Sequence, residues 1–184
     1  MPSIREQLPA SGAKAAYIGA SNGDAPEYFS LFQAAMADLG IHDCRAIPAT
    51  LHEHDADYVA QAALILLAGG DVARGWQAMQ SNGLAALIPR CHASGALLIG
   101  ISAGAVQLGR FGMHEHGGEL FPTFGLVPYL IDAHDEKQGW QRLQDALQQA
   151  PEGCCGIGIP SGAGVLWLEG QAPQALRQAF VPFA

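Results

Sequence analysis

The segment Gly100-Ile101-Ser102-Ala103-Gly104 has the G-x-S-x-G spacing that can place a serine nucleophile on a tight turn. The apolar run Ala96–Ile101 predicts a buried strand before the serine, and Ser102–Gly109 predicts the start of a helix after it. In that context the serine hydroxyl lies on a sharp strand-to-helix turn, where it can attack a carbonyl carbon. The alternative is a serine that only caps the helix. The agreement of motif, strand and helix favours the nucleophile.

A second glycine-rich turn, Gly69-Gly70-Asp71, follows the continuous apolar run Ala62–Ala68, which predicts a strand buried on both faces. Two glycines leave the backbone N–H groups free to point into the cleft. One of these groups and the amide of Ala103 would form an oxyanion hole for an acyl-transfer reaction. Asp71 also fits the N-cap of the next helix, and the two roles are compatible.

A serine nucleophile requires a general base, and histidine is the usual one. Three histidines follow Ser102 in the chain, namely His114, His116 and His134. His134 comes after the predicted strand Val127–Ala133, at the sheet edge where Ser102 is also expected. A histidine at a strand end often has only a structural role, but the neighbouring serine motif favours His134 as the base.

No pattern in the sequence indicates a metal or a cofactor. The segments His52-Glu53-His54 and His114-Glu115-His116 lack the i, i+4 spacing of helical zinc ligands, and we interpret them as solvated loops. Gly156-Ile157-Gly158 is not a dinucleotide fingerprint, because a strand pattern follows it where a helix is required. We expect the cysteines to be reduced core residues; they are Cys44, Cys91, Cys154 and Cys155.

Composition excludes several classes of partner. The net charge is −8, with nine Lys plus Arg and no basic cluster, so neither nucleic acid nor an anionic membrane surface is an expected partner. The apolar runs are shorter than the ~20 residues of a membrane span. The first residues are not followed by the apolar stretch of a secretory signal peptide, so we expect a cytoplasmic location. With 184 residues, 49% of them hydrophobic, the chain predicts one α/β domain over residues 1–184.

Strand and helix patterns alternate along the chain and position the motifs. Apolar strands followed by helices indicate a doubly wound, mainly parallel sheet with helices on both faces, whose site lies at the carboxyl ends of the strands. The predicted strands are Ala13–Gly19, Ile41–Ile47, Ala62–Ala68, Ala96–Ile101, one or two within Leu120–Ile131, Cys154–Ile159 and Gly164–Leu168. The predicted helices start at Pro26, Asp71, Leu84, Ser102 and Gln138.

Several segments together resemble the serine peptidases that include aspartyl dipeptidase and cyanophycinase. The matching segments, in order, are Ala68-Gly69-Gly70-Asp71, Gly100-Ile101-Ser102-Ala103-Gly104-Ala105, Gly125-Leu126-Val127-Pro128, Asp132-Ala133-His134 and Gly156-Ile157-Gly158-Ile159-Pro160. Arg142-Leu143, in the helix after the histidine, strengthens the match. The resemblance implies a three-layer α/β sandwich related to class I glutamine amidotransferases, with serine in place of cysteine.

The resemblance also implies roles for individual residues. Ser102 would be the nucleophile, His134 the general base, and Gly70 with Ala103 the oxyanion donors. The family hydrolyses peptide bonds next to aspartyl residues by acyl transfer and without a metal, so the expected partner is a small peptide or amide. The residues expected to contact substrate are Gly69, Asp71, Asn22 and Arg142, with Asp24 beside Asn22 on the rim.

One position departs from the family pattern. Ser161, after Gly158-Ile159-Pro160, stands where aspartyl dipeptidase has its catalytic glutamate. The acids that could replace that glutamate are Glu119, Asp132, Asp135 and Glu136, and the sequence does not rank them. Two hypotheses therefore remain: a serine hydrolase, or a protein of the same fold whose catalysis has lapsed and whose cleft binds a small ligand or partner.

Two other enzyme classes fit less well. An α/β-hydrolase places its histidine after the acid and near the C-terminus, whereas fifty residues follow His134 here. A cysteine-dependent amidotransferase is excluded because position 102 is serine.

Overall fold

The computed structural model describes residues 2–8, 12–114 and 118–184. The helices are α1 (Pro2–Arg5), α2 (Pro26–Asp38), α3 (Glu53–Ala60), α4 (Val72–Ser81), α5 (Leu84–Ala93), α6 (Ala103–Leu108) and α7 (Gln141–Gln149). The strands are β1 (Lys14–Ile18), β2 (Asp43–Ile47), β3 (Leu64–Leu67), β4 (Leu97–Gly100), β5 (Phe111–Gly112), β6 (Phe121–Pro122), β7 (Tyr129–Ala133), β8 (Cys155–Ile159), β9 (Gly164–Leu166), β10 (Gln174–Leu176) and β11 (Val181–Phe183). Single 3₁₀ turns lie at Ala20–Asn22 and Glu136–Gln138.

The chain divides into two compact units, Met1–Gly104 and Ala105–Ala184. Among the described residues, the first unit contains one four-stranded sheet, and the second contains one three-stranded and two two-stranded sheets. The expectation of one domain over residues 1–184 stays a prediction.

The first unit contains a four-stranded parallel sheet in the order β2-β1-β3-β4. Ile18 pairs with Leu67, and Leu67 pairs with Gly100, so the carboxyl ends of β1, β3 and β4 lie at one edge. The loops that follow these strands therefore emerge side by side. The α/β class with a parallel sheet and flanking helices, predicted from the sequence, is confirmed.

Both faces of this sheet are buried, as the continuous apolar strands predict. On one face, Tyr17 and Leu66 form a core with Phe32 and Met36 of α2. Because side chains alternate along a strand, Ile65 points to the opposite face, and it is fully buried as well. Fully buried side chains of α3, α4 and α5 are Val59, Met79, Leu84 and Ile88.

The second unit contains a three-stranded sheet in the order β11-β8-β7, with β7 and β8 parallel and β11 antiparallel to β8. Helix α7 buries Leu143 in a core with Leu130 and Trp140. A Cβ built on Gly158 would lie 2.7 Å from the Trp140 ring, so the glycine leaves room for the indole. The Gly156-Ile157-Gly158 segment thus serves packing between β8 and the residues before and within α7.

Some element boundaries differ from the sequence prediction. The helix expected from Gln138 begins at Gln141, because Gly139 and Trp140 have φ of 65° and 64°, outside the α-helical region. The interpretation of His52-Glu53-His54 as a loop is wrong for His54, which lies in the first turn of α3, a helix that the sequence patterns do not predict. Strands β10 and β11 were also not predicted.

Candidate active site

Ser102 lies between the end of β4 at Gly100 and the start of α6 at Ala103. Its φ is +50°, a left-handed conformation that non-glycine residues seldom adopt. An N-cap residue typically has extended backbone angles, so this conformation favours the nucleophile over a serine that only caps the helix. A backbone of this kind costs of order 1–3 kcal/mol and is concentrated at functional sites.

The glycines on either side of the predicted catalytic turn allow close backbone approach. A Cβ built on Gly104 would overlap the carbonyl oxygen of Leu67 in β3, so only glycine permits this approach of the two backbones within the first unit. A Cβ built on Gly69 would lie 3.4 Å from the Cβ of Ser102. The turn after β3 and the turn after β4 are therefore adjacent within the first unit.

The turn after β3 is also fixed to the loop after β1. Gly70 has φ of +131°, and a Cβ there would overlap the carbonyl of Ser21. The Asp71 N–H donates to that carbonyl at 2.9 Å, and the Arg74 guanidinium donates to it as well. Only glycine is compatible with both the backbone angle and this approach. Gly70 and Ala103 as oxyanion donors remain predictions.

The predicted substrate contacts in the first unit already have structural partners. The Asp71 carboxylate accepts the Arg74 N–H at 2.8 Å and caps α4, as the alternative interpretation expected. The Asn22 side chain donates to the Tyr17 hydroxyl at 2.9 Å. Asp24 accepts the Ala49 N–H at 2.9 Å. These bonds order the loops at the carboxyl edge of the sheet. Contact of Asp71 and Asn22 with substrate stays a prediction.

In the second unit, His134 directly follows β7, as predicted, and its side chain is exposed. Its φ is +50°, and its N–H donates to the Ile159 carbonyl of β8 at 2.9 Å. The parallel register pairs Ala133 with Ile159, so His134 and the residues after β8 emerge at the same edge.

Ser161 follows β8 at this edge and is joined to Glu136. The Ser161 N–H donates to Oε1 of Glu136 at 3.2 Å. A hydrogen bond from the Ser161 side chain is the main reason why the pKa of Glu136 lies below its ordinary value, and the positive charge of a protonated His134 contributes in the same direction. Glu136 is therefore ionised at neutral pH. Glu136, one of the four acids that the sequence left unranked, thus interacts with both Ser161 and His134.

Arg142 contacts two buried acids. Its Nη2 lies 2.8 Å from Oδ1 of Asp132, and its Nε lies 3.7 Å from Oδ1 of Asp135. Burial raises the pKa of Asp132 above its ordinary value, although the guanidinium opposes this. The predicted substrate contact of Arg142 stays untested, and these ion pairs give the side chain a structural role.

The remaining candidate metal ligands do not form a site among the described residues. Over residues 2–8, 12–114 and 118–184, no group of three or more His, Cys, Asp or Glu side chains could hold a metal ion. The rings of His52 and His54 stack, and His54 lies 3.4 Å from the Asp55 carboxylate. The ring of His114 packs on Phe121, while His116 lies outside the described residues. The expectation of no metal stays a prediction.

The cysteines Cys44, Cys91, Cys154 and Cys155 are free thiols. Within the described part of the chain, the structure also contains no helix long and apolar enough to cross a membrane.

Two solved structures are similar to this chain in fold. One is a protein from Listeria monocytogenes EGD-e, provisionally described as a peptidase E, with 17% identity and a TM-score of 0.71 over 97% of this chain and 93% of that chain. The other is a peptidase from an acI-B1 Actinobacterium, with 21% identity and a TM-score of 0.72 over 96% of this chain and 80% of that chain. No curated protein sequence matches the chain.

The family model for peptidase family S51 matches residues 1–175, which is most of the chain. The sequence resemblance to aspartyl dipeptidase and cyanophycinase is thereby confirmed at the level of the family. A serine peptidase function follows as the coarse expectation for its members. The chain belongs to peptidase family S51.

Proposed function

We propose that this protein is a serine hydrolase that cleaves a small peptide or related amide by acyl transfer. In this proposal Ser102 is the nucleophile, His134 is the general base, and Ser161 takes the position of the usual glutamate. The oxyanion donors are the N–H groups of Gly70 and Ala103. The substrate is a peptide bond next to an aspartyl residue, by analogy with aspartyl dipeptidase.

The conformation of Ser102 is the observation that carries the proposal. A non-glycine residue with φ of +50° between a strand and a helix has the geometry of a nucleophile elbow. Gly69 and Gly104 permit the close packing that this turn requires on either side. A serine that only caps a helix typically has an extended backbone and does not require glycines packed around it.

The proposed reaction proceeds in two balanced steps. In the first, Ser102 Oγ attacks the carbonyl carbon while its proton passes to His134, and the oxyanion accepts hydrogen bonds from the two N–H donors. The amine then leaves with that proton. In the second, water gives a proton to His134 and attacks the acyl ester. The acid product leaves as Ser102 regains its proton.

Reaction with a fluorophosphonate, measured by intact mass, tests the nucleophile without knowledge of the substrate. We expect one adduct on wild-type protein and none on Ser102→Ala. His134→Ala should retain Ser102 but react at least a hundredfold more slowly, because the base that activates the hydroxyl is gone. Labelling that persists in Ser102→Ala, or a wild type that stays unlabelled, would contradict the proposal.

Hydrolysis of aspartyl dipeptides tests the substrate class separately. We expect turnover of dipeptides with N-terminal aspartate and at least tenfold slower turnover of the matched asparaginyl dipeptides, which lack the charge. A protein that reacts with fluorophosphonate but cleaves neither series would be a hydrolase of another substrate. A protein that does neither would be the lapsed member of the fold, which Ser161 in place of glutamate would explain.

A further inference from the structure

We propose that Glu136 is a positioning residue that acts on His134 through Ser161. This inference rests on the proposed function. It identifies a source for the negative charge that the usual glutamate would supply and that Ser161 lacks. The hydroxyl of Ser161 would accept a hydrogen bond from the His134 ring and donate its own to the Glu136 carboxylate.

The tertiary structure brings the three residues to one edge of the second unit. Strands β7 and β8 are parallel and paired from Tyr129 with Cys155 to Ala133 with Ile159. The segment after β7 therefore runs beside the segment after β8. The Ser161 N–H donates to Oε1 of Glu136 at 3.2 Å, which fixes the carboxylate beside the serine.

Two further observations connect Glu136 to its neighbours. The Ser161 side chain is the first cause of the lowered pKa of Glu136, which agrees with a hydroxyl close to the carboxylate. The His134 ring interacts electrostatically with the same carboxylate, and its positive charge favours the ionised form. Within the described residues, Oε2 of Glu136 is buried without a hydrogen-bond partner, so the carboxylate keeps acceptor capacity.

The chemistry of a hydroxyl suits this arrangement. A serine hydroxyl can accept one hydrogen bond and donate another at the same time. A triad acid has two tasks: to hold the histidine tautomer and to stabilise the imidazolium that forms during attack. Ser161 can perform the first task, and the charge of Glu136 can perform the second through the polarised hydroxyl. No proton has to pass along the chain of hydrogen bonds.

The other acids are less suited to this role. Asp132 and Asp135 share the Arg142 guanidinium, at 2.8 Å and 3.7 Å, so its single positive charge offsets part of their negative charge. Burial raises the pKa of Asp132, which weakens it further as a source of negative charge. Glu119 is exposed in the segment between β5 and β6.

A double-mutant cycle tests whether Glu136 acts through Ser161. The measurements are the fluorophosphonate labelling rate of Ser102 and, where turnover occurs, kcat and KM on aspartyl dipeptides. The proteins are wild type, Glu136→Gln, Ser161→Ala and the double variant. Glu152→Gln, an exposed acid in the same unit, is the control for loss of one charge.

We expect Glu136→Gln to lower kcat and the labelling rate by about ten- to a hundredfold with little change in KM, and Glu152→Gln to change neither. The double variant should be no slower than Ser161→Ala alone, because both substitutions interrupt the same interaction. Fully additive losses, or a Glu136→Gln variant that labels at the wild-type rate, would overturn the inference.

Rescue separates positioning from a general effect on folding. In the Glu136→Gln background, Ser161→Glu restores a carboxylate beside His134, and we expect it to recover most of the lost labelling rate. A rate that stays low in a variant with the wild-type thermal midpoint would count against the inference. An unlabelled wild type would overturn the proposed function and this inference together. A labelled wild type that is indifferent to Glu136→Gln would overturn only the inference.

Discussion

Gly69 lies against Ser102, with 3.4 Å between a Cβ built on the glycine and the Cβ of the serine. The same built atom would lie 3.4 Å from the carbonyl oxygen of Ile101. The turn after β3 thus forms one side of the surroundings of the proposed nucleophile. A side chain larger than alanine at position 69 would therefore press on Ser102.

Enlargement of Gly69 should therefore impair catalysis more than folding. We expect Gly69→Val to lower the fluorophosphonate labelling rate at least tenfold, since its branched methyl groups would press on Ser102. The cost in the free energy of unfolding should stay within about 1–3 kcal/mol, the usual range for overpacking. Gly69→Ala adds only the 3.4 Å contacts and serves as the milder comparison. Equal labelling by all three proteins would contradict this account of the turn.

The close approach of Gly104 to the main chain of Leu67 should make position 104 intolerant of any side chain. In Gly104→Ala the new methyl group would overlap the main chain of Leu67, which cannot rotate away. We expect the free energy of unfolding, measured in urea, to fall by about 3 kcal/mol, the upper end of the usual range for overpacking. Gly164→Ala is a matched control, because its Cβ would lie 3.5 Å from the Leu176 Cβ, an ordinary contact. Similar midpoints for the two variants would refute the prediction.

Asp71 offers a way to separate capping from substrate binding. Its carboxylate caps α4, so Asp71→Ala should lower the free energy of unfolding by about 1 kcal/mol. Asparagine caps nearly as well as aspartate, so Asp71→Asn should keep the stability of the wild type. A rise in KM of Asp71→Asn at unchanged stability would then identify a contact between the Asp71 charge and substrate. We expect such a rise if the predicted substrate contact exists, and an unchanged KM would mean that the carboxylate only caps α4.

The buried carboxyl of Asp132 should make stability depend on pH. Burial raises its pKa above the ordinary value of 3.8, so the folded protein holds this proton more tightly than the unfolded chain does. The contribution to stability is complete below the unfolded pKa and is lost as the pH rises through the folded pKa. We expect the difference in unfolding free energy between wild type and Asp132→Asn to shift against the wild type as pH rises from about 3 to about 7.

The control for that titration is Asp145→Asn, which removes an exposed carboxylate from α7. Its difference from wild type should vary far less over the same range of pH. A flat profile for Asp132→Asn would mean that the Arg142 guanidinium cancels the effect of burial, and a reversed slope would mean that it outweighs burial.

Removal of metal ions should leave the protein folded and active. The proposed reaction uses a serine nucleophile and a histidine base, and it needs no Lewis acid. After treatment with a chelator and desalting, we expect the labelling rate of Ser102 and the thermal midpoint to match those of untreated protein. Zinc in stoichiometric amount by elemental analysis, with activity lost on chelation and restored by zinc, would contradict the prediction.

The sequence alone determined the α/β class and the family, because both depend on local signals. The continuous apolar runs at β3 and β4 predict buried strands wherever they lie in the fold. The G-x-S-x-G segment needs only its adjacent strand and helix to define a turn, and the structure contains that turn at Ser102. Helix α3 was missed because its first turn, His54 with Glu53 and Asp55, is polar and shows little apolar periodicity.

Only the tertiary structure decided which acid accompanies Ser161. Glu136 and Ser161 are 25 residues apart, and the pairing of β7 with β8 brings them together. The same kind of distant packing explains Gly158, whose missing side chain leaves room for Trp140. Distant packing also determines the pKa of Asp132, which depends on burial of the carboxyl and on the position of Arg142. Strand register and burial are long-range properties, whereas spacing along the chain reports only on near neighbours.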